Sequence, residues 1–214
     1  MCANHHPKRP GLFRTLRPLV LASQSPRRQE LLARLGLCFR VFPAEVEEPP
    51  PSPEVSPPDY ALELSRLKAL WVAEKCPRQA VLAADTIVVA QGEILGKPHD
   101  AAQAQEMLSL LSGKEHEVIT AYTLVCDQKS LSRWVKTKVF FKELSPLEIK
   151  AYLATGEPFD KAGAYAVQGI ASYMVREIRG SVTNVIGLPL YEVVEDLIKW
   201  KIIGFRGKAH EDSQ

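Results

Sequence analysis

The sequence predicts an α/β protein built on a mixed twisted sheet with flanking helices, and three observations lead to that class. Short apolar segments typical of buried strands, such as 19–22 and 80–90, alternate with segments in which leucines recur at helical spacing. Two strand-like segments, 116–126 and 133–144, follow each other and indicate an antiparallel pair beside the crossovers. The 46% hydrophobic and 24% charged residues in a chain of 214 are ordinary for a globular domain.

Net charge, cysteine spacing and hydropathy weigh against several classes of protein. A formal net charge of +2 argues against a nucleic-acid-binding surface, and no apolar run approaches the roughly 20 residues that span a bilayer. The four cysteines are widely spaced and form no C-x-x-C pair, which argues against a zinc site or a disulfide framework. We therefore expect a cytoplasmic protein with reduced thiols and with neither nucleic acid nor membrane as a partner.

The two ends of the chain differ in composition from the segment between them. Residues 1–17 are basic and contain no acidic residue, and residues 204–214 are polar. We expect a disordered basic extension over 1–17, one domain over 18–203, and a polar tail over 204–214.

The first strand and helix contain an electrostatic conflict. After the apolar segment 19–22, Ser25 suits the N-cap and Pro26 the first helical position. Arg27 and Arg28 then fall at the positive end of the helix dipole, where anions are favoured. A bound phosphate would relieve the conflict, and two solvated arginines on a surface helix are the alternative. Gly36 ends this helix, and 37–42 reads as the second strand.

A proline-rich segment, 49–58, follows and predicts an extended, semi-rigid loop. Its P-x-x-P match is typical of a docking peptide, but a plain surface loop is the simpler interpretation. A helix then begins near Ser56 and carries apolar residues at helical spacing. Lys68 lies four residues after Leu64, toward the buried side, so it either extends to water or reaches into a cleft.

The remaining elements follow in order. An apolar strand interrupted by Asp85 runs to a turn at 91–92, and a helix capped by Asp100 ends at Gly113. The antiparallel pair comes next, then a helix opened by a capping box at Ser145. Two loops, 160–169 and 180–189, flank a strand near 173–178, and the last helix ends at Trp200.

The polar residues that interrupt these elements indicate a polyphosphate site. P-loop, G-x-G-x-x-G, zincin and G-x-S-x-G patterns are absent from the sequence. What remains is a set of cations, carboxylates that suit Mg²⁺, and an amide that suits a nucleobase. Each residue type also has a purely structural interpretation: an aspartate that caps a turn, a surface lysine, or an ordinary loop glutamine. The set comprises Arg27, Arg28, Lys68, Lys97, Asp85, Glu45, Glu47 and Gln168.

Seven segments, in this order, resemble the Maf family of nucleoside triphosphate pyrophosphatases. They are LASQSPRR (21–28), AADTIV (83–88), LGKP (95–98), MLSLLSG (107–113), HEVITA (116–121), GEPFDKAGAYAVQG (156–169) and GSVTNVIGLPL (180–190). The resemblance implies an inosine-triphosphatase-like fold with two lobes around a cleft. It also implies hydrolysis of a nucleoside triphosphate with a divalent metal, Mg²⁺ or Mn²⁺, and a possible homodimer.

The resemblance also assigns roles to residues of this sequence. It makes Asp85 the catalytic proton acceptor, and it places the triphosphate on five residues. Three positions would set base specificity. One of them, Gln168 in the GEPFDKAGAYAVQG segment, points to the dTTP and UTP branch. From the residues themselves, the carboxylates of Asp85 and Glu45 are the expected metal ligands. The triphosphate set is Ser23, Arg27, Arg28, Lys68 and Lys97, and the specificity set is Arg27, Thr86 and Gln168.

Two other functions stay open on the sequence. The first is the same reaction on 7-methyl-GTP, because the family's branches differ in the 156–169 loop. The second is a nucleotide-binding regulator of cell division with little turnover, against which the intact Asp85, Lys97 and Arg27 count.

Overall fold

The computed structural model describes residues 3–5 and 11–206, and within them a mixed sheet is flanked by helices. The strands are β1 Ala3–His5, β2 Phe13–Thr15, β3 Leu19–Leu21, β4 Phe39–Val41, β5 Ala80–Ala90, β6 Glu93–Leu95, β7 Glu115–Cys126, β8 Lys129–Phe141, β9 Val175–Arg179 and β10 Ile203–Phe205. The helices are α1 Pro26–Arg34, α2 Pro57–Lys75, α3 Ala101–Leu111, α4 Pro146–Leu153, α5 Val182–Ile186 and α6 Leu190–Lys199. Short 3₁₀ turns cover Glu157–Asp160, Ala162–Ala164 and Ile170–Met174.

The main sheet runs in the order β1-β4-β3-β5-β7-β8-β9, with β6 also paired to β5. The β3–β4 and β3–β5 pairs are parallel and the others are antiparallel. The predicted α/β class with a mixed sheet is therefore confirmed. None of the helices in the described ranges combines the length and apolar character that crossing a bilayer requires.

Local sequence signals place most helix starts where they were expected. The side chains of Ser56, Asp100 and Ser145 each accept a backbone N–H in the first turn of α2, α3 and α4, and Ser145 forms the full capping box with Glu148. The last two prolines of 49–58 occupy the first turn of α2, so the loop ends at Ser56.

Some elements differ from the expectation. Residues 182–186 form the short helix α5 rather than a loop, because Ser181 caps the N–H of Asn184. The strand expected near 173–178 begins at 175, since 170–174 is a 3₁₀ turn. The first difference adds a short helix within the expected loop, and the second is a shift of two residues at an element boundary.

Both expected terminal segments contain ordered strands. β2 pairs antiparallel with β10, and Phe13 is buried in the core, so 11–17 are not a disordered extension. β1 pairs with β4. The polar tail correspondingly begins after β10 rather than at 204. Residues 1–2, 6–10 and 207–214, where the rest of those expectations falls, lie outside the described residues.

β5 contributes to the hydrophobic core on both faces of the sheet, because its successive side chains point to opposite faces. On one face, Leu82 packs with residues of α1 and α6, and Val88 packs with residues of α3 and α4. On the other face, Val81 and Ile87 pack against α2. Every residue of β5 is buried except Thr86, which is half-buried.

The topology leaves a gap beside the middle of β5. On one edge β3 pairs with residues 80–82 and β6 pairs with residues 88–90. No described strand pairs with residues 83–87 on that edge. The two parts of the protein on either side of this gap correspond to the two lobes predicted around a cleft. Asp85 and Thr86 lie at the gap and point to opposite faces of the sheet.

Candidate functional site

A cavity of about 900 Å³ opens at this gap and is bordered by both lobes. Residues 22–28 supply one wall and residues 160–162 and 165–167 the opposite one, with 94–97 and 185–187 completing the rim. The proline-rich segment, expected to be only a surface loop, also contributes through Pro51, and Glu48, the residue just before this segment, borders the cavity as well. This volume is at the upper end of the range of small-molecule sites.

The N-terminus of α1 faces this cavity as the sequence predicts. Ser25 occupies the N-cap and Pro26 the first turn, but the Ser25 side chain makes no cap hydrogen bond to a described residue. Free N–H groups of the first turn therefore lie at the cavity wall. Arg27 is half-buried there and has no hydrogen bond or ion pair with any residue that the structure describes. Its guanidinium is available to an anion.

Arg28, in contrast, is fixed by three hydrogen bonds. Its Nε donates to the carbonyl of Gly187 (2.7 Å), one Nη to Ser23 Oγ (3.1 Å) and the other to Thr86 Oγ1 (2.9 Å). Burial lowers the pKa of the guanidinium, an effect that the charge of Asp85 partly offsets. Two of its five N–H groups remain for a ligand.

The second charged cluster lies on the α2 side of β5. Lys68 Nζ contacts Asp85 Oδ1 at 2.6 Å and Glu48 Oε1 at 2.7 Å. The side chains of Lys68 and Asp85 are 15% and 11% exposed, so water screens this ion pair little. The sequence left two environments open for Lys68, and the structure places it in the cleft.

The carboxylate oxygens of Asp85 and Glu48 fit a hard divalent cation. Both lie within contact distance of one cationic nitrogen, so the two can share a positive charge. No cluster of three or more potential metal-ligating side chains occurs within 3–5 and 11–206, so phosphate oxygens and water would complete the coordination. Glu45, the expected second ligand, is exposed and is not among the described residues that border the cavity.

The sequence alone did not select Glu48 from its run of acidic residues. Glu45, Glu47 and Glu48 share the same residue type and the same loop, so no local signal separates them. Contacts with α2 separate them: Glu48 contacts Lys68, and Tyr60 of the same helix donates to the carbonyl of the neighbouring Pro49 (2.8 Å). This bond ties the segment that carries Glu48 to the helix that carries Lys68.

The other predicted residues divide between the cavity and its surroundings. Ser23, Thr86 and Lys97 border the cavity, and Lys97 has no hydrogen bond within the described part of the chain. Gln168 is exposed and is not among the described residues of the wall, although its neighbour Val167 is. The structure thus brings the cations, Ser23, Thr86 and Asp85 together, and it leaves Gln168 and Glu45 outside.

The wall opposite α1 contains an ion pair that the sequence analysis did not assign. Lys161 contacts the carboxylate of Asp160 and donates to the carbonyl of Glu157. Burial raises the pKa of Asp160, but the hydrogen bond and charge of Lys161 and the charge of Arg27 outweigh it and leave the pKa lowered. Both residues belong to the GEPFDKAGAYAVQG segment, whose quoted motif was the available signal.

A buried pair supports the same wall from behind. Tyr165 borders the cavity, and its hydroxyl lies 2.8 Å from Nε2 of His116 on β7. His116 is 2% exposed, and burial lowers its pKa to about 4. The rings of Phe141 and Tyr165 pack edge-on around it at 5.0 and 5.4 Å. The imidazole is therefore neutral near pH 7 and holds Tyr165 in place.

Comparison with known proteins gives four findings. A family model described as "Maf-like protein" matches residues 18–200. A dTTP/UTP pyrophosphatase of Geobacter sp. strain M21 is 52% identical over 88% of this chain and 97% of that protein. One of Geobacter sulfurreducens is 54% identical over 84% of this chain and 94% of its own length. A solved Staphylococcus aureus Ham1 structure gives a TM-score of 0.45 at 12% identity, covering 86% of this chain and all of that one.

Proposed function

Because the chain belongs to the Maf family, we propose that it hydrolyses dTTP and UTP to the nucleoside monophosphate and pyrophosphate. The observation that carries the proposal is the meeting of Asp85, Lys68 and Arg28 in one cavity. The names of relatives about 50% identical support the choice of pyrimidine nucleotides.

The triphosphate binds to the cationic side of the cavity. Arg27 and Lys97 have side chains free of described partners, and Arg28 presents its two remaining N–H groups in a fixed orientation. A planar guanidinium with a defined orientation suits bidentate contact with phosphate oxygens. The free N–H groups of the first turn of α1 add to the same anion site.

Asp85 acts as the proton acceptor for the attacking water. Lys68 occupies its Oδ1, which leaves Oδ2 without a described partner and able to accept a proton. The water oxygen bonds to the α-phosphorus as the bond from that phosphorus to the bridging oxygen breaks. The bridging oxygen keeps the bonding electrons and leaves with pyrophosphate, while the water proton passes to Asp85.

Asp85 and Glu48 would hold the divalent cation, Mg²⁺ or Mn²⁺. When bound, such a cation supplies charge neutralisation and polarisation of the phosphate. In the free protein Lys68 contacts both carboxylates, so its ammonium bridges the two side chains that would hold the cation. With the cation bound there, this ammonium would be available to the phosphates.

Base recognition is proposed for Arg27, Thr86 and Gln168. Arg27 and Thr86 border the cavity, which supports their part in it. The exposed Gln168 follows the wall residue Val167 and would have to turn inward to offer its amide to the N3–H and a carbonyl of uracil or thymine.

Pyrophosphate release from a panel of nucleotides tests the proposed function. Purified protein is assayed with dTTP, UTP, CTP, GTP and 7-methyl-GTP, with Mg²⁺ or Mn²⁺ and with a chelator control. We expect turnover confined to dTTP and UTP and abolished by the chelator. Preference for 7-methyl-GTP would contradict the substrate assignment, and tight binding without turnover would favour the nucleotide-binding regulator.

A further inference from the structure

A chain of hydroxyl groups leads from Arg28 into the sheet, away from the cavity. Arg28 donates to Thr86 Oγ1, which lies 2.9 Å from Thr120 Oγ1, and Thr120 donates to the carbonyl of Asn184 at 2.8 Å. Thr86 and Thr120 face each other in register on β5 and β7. Thr120 and Asn184 are fully buried, and neither is among the described residues that border the cavity.

The two ends of this chain fix the direction of every proton in it. A carbonyl oxygen only accepts, so the single proton of Thr120 points to Asn184. Thr120 then accepts from Thr86, and the proton of Thr86 points to Thr120. A guanidinium only donates, and Thr86 is left with its lone pairs toward Arg28. The chain therefore has one favourable arrangement, and each bond in it supports the next.

The same carbonyl also positions the second anchor of Arg28. The N–H of Gly187 donates to the Asn184 oxygen at 3.0 Å, and the Gly187 carbonyl accepts from Arg28 Nε. Asn184 is itself held by its amide, which donates to the Val118 carbonyl and to Thr137 Oγ1, each at 3.0 Å. Two of the three bonds that orient the guanidinium thus converge on one buried residue.

From this geometry we propose that Thr120 is a positioning residue for phosphate binding, acting through Thr86 on Arg28. Loss of its hydroxyl leaves the proton of Thr86 without an acceptor, so that hydroxyl rotates and no longer presents its lone pairs to Arg28. The guanidinium then loses orientation, although its charge and all residues at the cavity wall remain. The inference rests on the proposed function only in taking a triphosphate as the ligand.

The test is Thr120→Val, with Thr123→Val as the matched control. Thr123 lies on the same strand, is equally buried, and its hydroxyl also bonds two others, those of Ser65 (2.8 Å) and Ser132 (2.9 Å). It is not among the described residues of the cavity. In both substitutions a methyl group replaces a buried hydroxyl that makes two hydrogen bonds, and only the hydroxyl of Thr120 is linked to Arg28 through Thr86.

We expect Thr120→Val to raise the KM for dTTP and the inhibition constant of inorganic pyrophosphate about tenfold, with kcat changed less than threefold. Thr123→Val leaves both constants within twofold of the parent protein. Thr120→Ser, which keeps the hydroxyl, restores them. If Thr120→Val does not fold, Thr120→Ala is compared with Thr120→Ser, since both lack the methyl group and differ only in the hydroxyl.

Unchanged constants in Thr120→Val would overturn the inference, and so would equal increases in Thr123→Val. The dissociation constant of pyrophosphate, measured by calorimetry with Mg²⁺ present, gives the same comparison without turnover. If the parent protein hydrolyses none of the nucleotides, the proposed function fails, while these dissociation constants still decide the role of Thr120.

Discussion

Lys68 Nζ on α2 lies 2.6 Å from Asp85 Oδ1 on β5 and 2.7 Å from Oε1 of Glu48, the residue just before the proline-rich segment. Lys68 and Asp85 are 17 residues apart in the sequence and meet because the odd-numbered face of β5 packs against α2. This pair places a carboxylate at the gap of the sheet, with one oxygen held by Lys68 and the other without a partner among the residues that the structure describes.

The first prediction concerns the free oxygen of Asp85. Asp85→Asn keeps the shape and loses the ability to accept a proton, so we expect kcat for dTTP to fall by about 100- to 10,000-fold. Pyrophosphate release measures kcat, and calorimetry checks that the variant still binds nucleotide. A variant with undiminished kcat and normal binding would remove Asp85 from the chemical step.

The second prediction separates Glu48 from Glu45. Glu48→Gln should raise the Mg²⁺ concentration for half-maximal activity about tenfold or more, because a charged oxygen ligand is lost beside Asp85. Glu45→Gln is the matched control on the same segment, and we expect no change there, since Glu45 is exposed outside the cavity wall. If Glu45→Gln raised this Mg²⁺ concentration and Glu48→Gln did not, Glu45 would be the metal ligand instead.

The third prediction concerns base selectivity. If Gln168 offers its amide to the base, Gln168→Ala brings the kcat/KM ratio of UTP over CTP closer to one and leaves the affinity for pyrophosphate unchanged. The two substrates compete in one assay, so the ratio is measured directly. A constant ratio would agree with the exposed position of Gln168 and leave selectivity to Arg27 and Thr86.

The fourth prediction is a pH dependence of stability from His116. Its pKa is lowered from 6.5 to about 4 by burial, so the unfolded chain binds more protons than the folded protein between these values. Its contribution to stability is full above pH 6.5 and is lost as the pH falls toward 4, by about 3 kcal/mol in total.

Urea unfolding at pH 4 to 7 measures this contribution. His116→Phe cannot titrate, so its free energy of unfolding should fall less steeply with decreasing pH, although it starts lower because the Tyr165 hydroxyl loses its partner. Parallel pH profiles for the parent protein and the variant would show that His116 is not the titrating group.

The sequence by itself determined the elements whose cause is local. Ser56, Asp100 and Ser145 begin helices because each side chain accepts the N–H of the third residue after it, and the nearly continuous apolar segment of β5 is typical of a strand buried on both faces. The family resemblance also assigned Asp85, Arg28 and Lys68 to one site, and the structure brings these three residues together in the cavity.

Only the tertiary structure decided which side chains reach that site. Arg28 takes its partners from residues 58 and 159 positions away, and the choice of Glu48 over Glu45 depends on contacts with α2. The cleft itself arises because β3 and β6 pair with different ends of β5 and leave residues 83–87 open on that edge. Such pairings depend on the folding of segments distant in the sequence, so hydrophobic periodicity and capping signals, which act over a few residues, cannot specify them.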